Sequence, residues 1–167
     1  MELGNILNKS QSSGIYRRLM NIGLWKLIPF NSPHKFKISE ITNTSLKIIV
    51  PYIRKNKNHV NGIHACALAT VCEYISGLSL ARELSSKVYR IILKEIQMTY
   101  HYQAKMDALT TFSLPLNEAI LIREDLENND ATFRRYSVEV YDEVGNHICT
   151  GNIYWQIKPW SKTKTTT

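Results

Sequence analysis

Residues 64–81 read HACALATVCEYISGLSLA, from His64 to Ala81, and they decide the fold. Apolar side chains occur almost all round a helical projection of this run, the pattern of a helix buried on every side rather than one resting on a surface. Leu68, Val71, Ile75 and Leu78 form a face of large side chains. Ala65, Ala69, Cys72 and Ser76 form a neighbouring stripe of small ones, which lets another backbone approach closely. Glu73 is the single acidic residue of the run.

The segments on either side read as strands and turns. Upstream, Lys35–Ile41 and Ser45–Tyr52 alternate about the turn Thr42-Asn43-Thr44, a first hairpin. A polar loop, Arg54 to His59, leads through Asn61-Gly62 into the helix. Downstream, Val88–Tyr102 is rich in Ile, Tyr and Thr, and Lys105–Leu114 continues after a turn. Glu118–Leu126 reads as a short helix stopped by Asn128-Asn129-Asp130. Phe133–Asp142 and His147–Lys158 are alternating strands joined by Glu143-Val144-Gly145-Asn146, a hairpin signal. At the front, Gly14–Ile28 has roughly helical apolar spacing with Arg17, Arg18 and Lys26 between, stopped by Pro29 and Pro33. Residues 1–13 are polar and expected to be loose, 14–160 form one domain, and 161–167 are a polar tail. One long buried helix against a mostly antiparallel sheet is an α+β arrangement.

Composition sets bounds on function. The chain has 167 residues, 44% hydrophobic and 21% charged, with mean hydropathy −0.23. The net charge is +7 and the pI about 9.3. The Lys and Arg are scattered, in small groups at Arg17-Arg18, Arg54-Lys55 and Arg134-Arg135. Most are expected as solvated surface charge, with a few able to meet a phosphorylated ligand such as coenzyme A, whereas a nucleic acid wants a basic stripe interleaved with aromatics. Cys66, Cys72 and Cys149 show no metal spacing and no even disulfide framework, so Cys66 and Cys72 are expected as buried thiols in a reducing compartment. No signal peptide is evident and no uncharged run of membrane-spanning length exists. The expectation is a cytoplasmic protein without membrane insertion and without a metal.

The loop and helix together carry a resemblance. Asn58, His64 six residues on, and Glu73 nine residues after that match a motif of hotdog-fold acyl-CoA thioesterases of the phenylacetate-pathway and THEM-like type. The Thr99-Tyr100 pair in KEIQMTYHYQA resembles their next strand. The pattern N-x5-H-A-x7-E is similar to that of an uncharacterised bacterial branch, in which His-Ala stands where most relatives have His-Gly-Gly. Ala65 and Cys66 replace those two glycines, Asn61 stands where glycine is common, and Leu93 falls where some relatives place a Ser. The resemblance implies a hotdog fold, an antiparallel sheet wrapped round one long helix, and hydrolysis of a fatty or aryl acyl-CoA. It also implies a homodimer, with a tetramer as the alternative assembly, and no cofactor beyond the coenzyme A of the substrate.

Thioester hydrolysis needs a base or nucleophile and a donor where charge develops on oxygen. Glu73 is the candidate base or nucleophile, since burial raises a carboxyl pKa. Ala65 and Cys66 lie in the first helical turn, where N–H groups lack intrahelical partners and the helix dipole favours negative charge. The Ala65 N–H is the candidate oxyanion donor. Asn58 orients water or holds the loop, and His64 fixes loop geometry. Asn61, Gly62, Cys66, Leu68 and Tyr100 are the candidate substrate contacts, with Val71 and Ile75 extending an acyl pocket. Nine helical residues make two and a half turns, so Glu73 lies on the other side of the helix from His64-Ala65 and roughly 13 Å along it. One chain does not bring both to one carbonyl; two antiparallel helices about a two-fold axis do. The rival reading is a non-catalytic acyl-binding module on the same fold. Cys66 as a nucleophile would want a His/Asn partner, which the sequence does not show, and His59 and His101 read as surface or packing residues.

Overall fold

The computed structural model describes residues 3–163. Two helices, α1 (Leu3–Gln11) and α2 (Gly14–Leu27), precede a hairpin of β1 (Lys37–Ile41) and β2 (Ser45–Val50). Then come the central helix α3 (Ala65–Glu83), β3 (Tyr89–Tyr100), β4 (Ala108–Ser113), α4 (Glu118–Asn128), β5 (Thr132–Asp142) and β6 (His147–Pro159). The strands form one antiparallel sheet in the order β1-β2-β4-β5-β6-β3. The sheet curls round α3, which packs against β2, β3, β4, β5 and β6. This is the expected α+β arrangement.

The all-round apolar pattern of α3 is spent on burial: Leu68, Val71, Cys72, Ile75, Leu78 and Leu80 all lie in the core. Its buried serines are hydrogen-bonded. Ser76 Oγ donates to the Cys72 carbonyl at 3.0 Å and accepts from Trp155 Nε1 at 3.1 Å, and Ser79 Oγ donates to the Ile75 carbonyl at 2.8 Å. The small stripe works as expected against β6. A Cβ on Gly151 would stand 2.9 Å from the Cys72 Cβ, so only glycine lets the strand approach the helix this closely. The β5–β6 turn is held by Asp142, whose side chain accepts from the Val144 and Asn146 N–H groups, while Gly145 takes the left-handed φ of 90°.

The N-terminus differs from expectation. Residues 3–11 form α1 rather than a loose segment, because Leu7 is fully buried and the helix packs on α2 and α3. One apolar anchor and a close backbone approach suffice: a Cβ on Gly4 would meet the Arg82 carbonyl oxygen at 2.6 Å. Met1, Glu2 and residues 164–167 of the polar tail lie outside the described residues. Among the described residues no helix is long and apolar enough to cross a membrane.

Strand β3 is unusual. It is 12 residues long, sits at the sheet edge, and is largely exposed on both faces, including Ile92, Leu93 and Tyr100. A long uncovered edge presents a row of unpaired backbone groups, which is a template for another strand.

Candidate active site

The loop before α3 is organised by amides. Asn58 Oδ1 accepts from the N–H groups of Val60 (3.1 Å) and Gly62 (2.9 Å), so this side chain holds the loop. Asn61 sits at φ 58°, the left-handed conformation that asparagine tolerates and glycine adopts freely, and its carbonyl accepts from the Tyr52 hydroxyl. Gly62 is packed under Gln103, whose Cγ would lie 2.9 Å from an added Cβ. His64 is the N-cap: its ring Nδ1 accepts from the Cys66 N–H at 3.0 Å, and its own N–H donates to the Asn56 carbonyl at 2.7 Å.

The cap leaves a selective vacancy. The Cys66 N–H is used by His64, while the Ala65 N–H has no hydrogen-bond partner among the described residues. Ala65 is exposed and opens, with Asn58, Leu68 and Tyr100, into a pocket of about 280 Å³. Tyr100 closes one wall by donating its hydroxyl to the Ala65 carbonyl at 3.0 Å. Burial pushes the Tyr100 phenol above its ordinary value, which keeps it a donor.

Glu73 lies elsewhere, in a separate cleft of about 400 Å³ between α3 and the start of β3, with Gly77, Tyr89, Ile92 and Trp155 among its walls. Its Oε1 is 3.8 Å from where a Gly77 Cβ would stand. The carboxyl is half-buried and has neither an ion pair nor a side-chain hydrogen bond among the described residues. Burial therefore holds it above the usual carboxylate range with nothing to offset it.

Two expectations fail. Cys66 is exposed rather than buried, because it sits in the first turn before α3 enters the sheet. Val71 and Ile75 are sealed in the core with no accessible surface and line neither cavity, so only Leu68 of that trio reaches the pocket. Cys72 and Cys149 are both buried, and the neighbouring Cys149 together with burial keeps Cys72 a thiol.

Other residues escaped the sequence reading. Strand β3 ends at Tyr100, and residues 101–104 turn over the pocket. The Ala104 carbonyl accepts from the Ile63 N–H at 2.8 Å, Gln103 Nε2 donates to the Val60 carbonyl at 3.2 Å, and His101 lines the wall. His101 and His147 both bond Thr150 Oγ1, at 3.2 and 3.1 Å. Asn56 is wholly buried and ties His34, Pro51 and the start of α3 together. The adjacency of His101-Tyr102-Gln103 to Tyr100 was a usable signal; nothing local marked Asn56.

The architecture is that of the hotdog fold found in thioesterases. A probable thioesterase of unknown function from Pseudomonas aeruginosa superposes with a TM-score of 0.75 at 18% identity, covering 81% of this chain and 90% of that one. A mutant thioesterase from Staphylococcus aureus gives 0.64 at 14% identity over 78% and 99% of the two chains. A thioesterase from Haemophilus influenzae gives 0.62 at 11% identity over 78% and 82%. At these identities the likeness is one of fold. No curated protein matches the sequence. Residues 17–157 match the family described as a domain of unknown function, DUF4442, and the chain belongs to that family.

Proposed function

We propose that this protein is a thioesterase that hydrolyses an acyl-CoA thioester at a site built by two chains. The observation that carries the reading is Glu73, a desolvated carboxyl without an ion pair and the one charged side chain of α3 before Arg82. A carboxylate held this way is a cost to folding unless it is used.

The chemistry follows from the two ends of α3. Glu73 removes a proton from water, the oxygen adds to the thioester carbonyl, and the developing oxyanion accepts the Ala65 N–H at the positive end of the helix. Collapse breaks the C–S bond, and the thiolate of coenzyme A takes the proton from Glu73, leaving a free acid and a thiol. Asn58 and His64 hold the loop that presents Ala65.

Eight residues separate Ala65 from Glu73, roughly 12 Å along the helix, and they open into different cavities. Both cavities adjoin β3: one at Tyr100, the other at Tyr89–Ile92. Antiparallel pairing of β3 with its copy about a two-fold axis between Lys94 and Glu95 sets Lys94 of one chain opposite Glu95 of the other. It also sets Tyr100 opposite Tyr89, which brings the Ala65 pocket of one chain to the Glu73 cleft of the other. The proteins of similar fold that are called thioesterases agree with this reading.

The test is turnover of acyl-CoAs of graded chain length, alkyl and aryl, by the wild type and by Glu73→Gln. A loss of about 10²–10⁴-fold in the variant is expected for a missing general base. Tight binding without turnover by the wild type would instead identify an acyl-binding module, and neither binding nor turnover would sink both.

A further inference from the structure

The most one-sided region of the molecule lies away from this site. Lys9, Arg17, Arg18, Lys26, Lys35 and Lys37 occur between Leu3 and Ser39 without a single Asp or Glu among them. None of the six forms an ion pair among the described residues. The same segment exposes large apolar side chains. Helix α2 turns Met20, Asn21 and Leu24 inward. On its outer face Ile15, Leu19 and Ile22 recur at helical spacing, 76%, 59% and 39% exposed, with Arg18 beside them and Lys26 one turn beyond Ile22. Phe30, just past the helix, is also exposed.

Two clefts flank this stripe. On one side an apolar groove of about 510 Å³ between α1 and α2 is walled by Tyr16, Leu19, Gly23 and Leu27, with Lys9 at its rim. On the other, a cleft of about 540 Å³ between α2 and β1 is lined by Arg17, Arg18, Lys37 and Ser39, and by no acidic side chain. Apolar side chains at the centre, an apolar groove on one flank and unpaired cations on the other are the features of a helix lying in the plane of a bilayer interface.

We propose that the protein docks on anionic lipid surfaces through the outer face of α2. Ile15, Leu19, Ile22 and Phe30 enter the boundary between headgroups and acyl chains. Arg18 and Lys26 meet lipid phosphates at the surface, and the Arg17–Lys37 cleft accepts one headgroup phosphate. Charge selects this occupant. A second copy of the chain would set like charges face to face, whereas an anionic leaflet attracts each of these cations. The docking is peripheral, and it does not depend on thioester hydrolysis.

Co-sedimentation with vesicles tests it. The full chain is expected to bind phosphatidylcholine vesicles containing phosphatidylglycerol, to leave pure phosphatidylcholine vesicles alone, and to bind less as salt rises. Arg18→Gln with Lys26→Gln should weaken partitioning about 25-fold, about fivefold for each cation near the charged surface. Ile15→Ser with Leu19→Ser should weaken it at least about tenfold. These side chains face solvent, so unchanged thermal melts should accompany both losses. Arg123→Gln with Arg135→Gln, away from α2, should bind as the wild type does. The proposal is overturned by absence of binding to the anionic vesicles, by equal binding to neutral ones, or by α2 variants that bind normally. Equal loss in the Arg123/Arg135 control overturns it too, as does light scattering showing that the apolar variant dissolves a dimer formed through this face.

Discussion

Ala65→Pro removes one N–H and little else. Ala65 is the first residue of α3, the helical position where proline fits best because its missing N–H has no intrahelical partner anyway. The preceding residue must then be extended, and His64 already is, at φ −65° and ψ 137°. The side chain is exposed, so the ring meets solvent. Stability should stay within about 0.5 kcal/mol of wild type, as for a surface substitution. Turnover should fall about 10²–10³-fold, the loss of one oxyanion donor, or about 3–4 kcal/mol of transition-state stabilisation. Glu73→Gln should be as inactive, for a different reason. Mixed in equal amounts and allowed to exchange, the two inactive proteins should recover activity. Half of the dimers pair one variant with the other, and in each of these one of two sites combines an intact Ala65 from one chain with an intact Glu73 from the other. About one quarter of wild-type turnover is therefore expected. The assay is release of coenzyme A thiol, read against protein blanks because Cys66 is exposed. If differently tagged chains co-purify after mixing yet turnover stays at the level of the variants, the site lies within one chain and the reasoning is refuted. Full activity of Ala65→Pro alone would remove the oxyanion role.

Four further outcomes are expected. Glu73 has its carboxyl pKa raised by burial, so its contribution to stability is complete below the ordinary carboxylate range and is lost as pH rises through the raised value. Thermal melts should show Glu73→Gln more stable than wild type at neutral pH, with the gap closing in acid. Asn56→Ala strands the His34 and Pro51 carbonyls, each bonded at 2.9 Å, and should cost about 3 kcal/mol by urea unfolding with an unchanged m-value. Gly151→Ala drives a methyl to 2.9 Å from both the Cys72 Cβ and the Met98 Sδ and should cost about 1–3 kcal/mol. Gly23→Ala, in α2 with nothing within 4 Å of the new methyl, should stabilise by about 0.8 kcal/mol in the same unfolding experiment.

Period and punctuation made most elements legible. The α3 run announced a buried helix because its apolar residues left no polar face, and the hairpins announced themselves by alternation broken at Thr42-Asn43-Thr44 and Gly145-Asn146. Helix α1 was missed because LGNILNKSQ has one fully buried anchor, Leu7, whose burial depends on a core assembled from distant segments. The same limit applies at the site. Spacing placed Asn58, Ala65 and Tyr100 in one sequence frame, and those residues do share a pocket. It did not show that His64 takes the Cys66 N–H, since a ring's direction is set by tertiary contacts. Nor did it show that Val71 and Ile75 turn away from any cavity, because both faces of a wholly buried helix look alike in sequence.

The position of Arg90 sharpens the reading of Glu73. Arg90 lines the same cleft, yet no ion pair joins the two. Were the pair formed, the guanidinium would draw the carboxyl pKa down and recover part of the cost of burial, and the chain would gain stability while Glu73 weakened as a base. The edge strand shows the same trade on a larger scale. A 12-residue edge exposing Ile92 and Leu93 invites pairing that proteins ordinarily block with charge, proline or a covering loop. Here its two central residues, Lys94 and Glu95, are charges of opposite sign, which repel a random strand of like pattern less than they attract an antiparallel copy of themselves. An uncompensated carboxyl and an uncovered edge are separate liabilities in one chain. The dimer proposed above, paired through β3, would cover the edge and turn Glu73 toward the pocket of the other chain, where the carboxyl has a use.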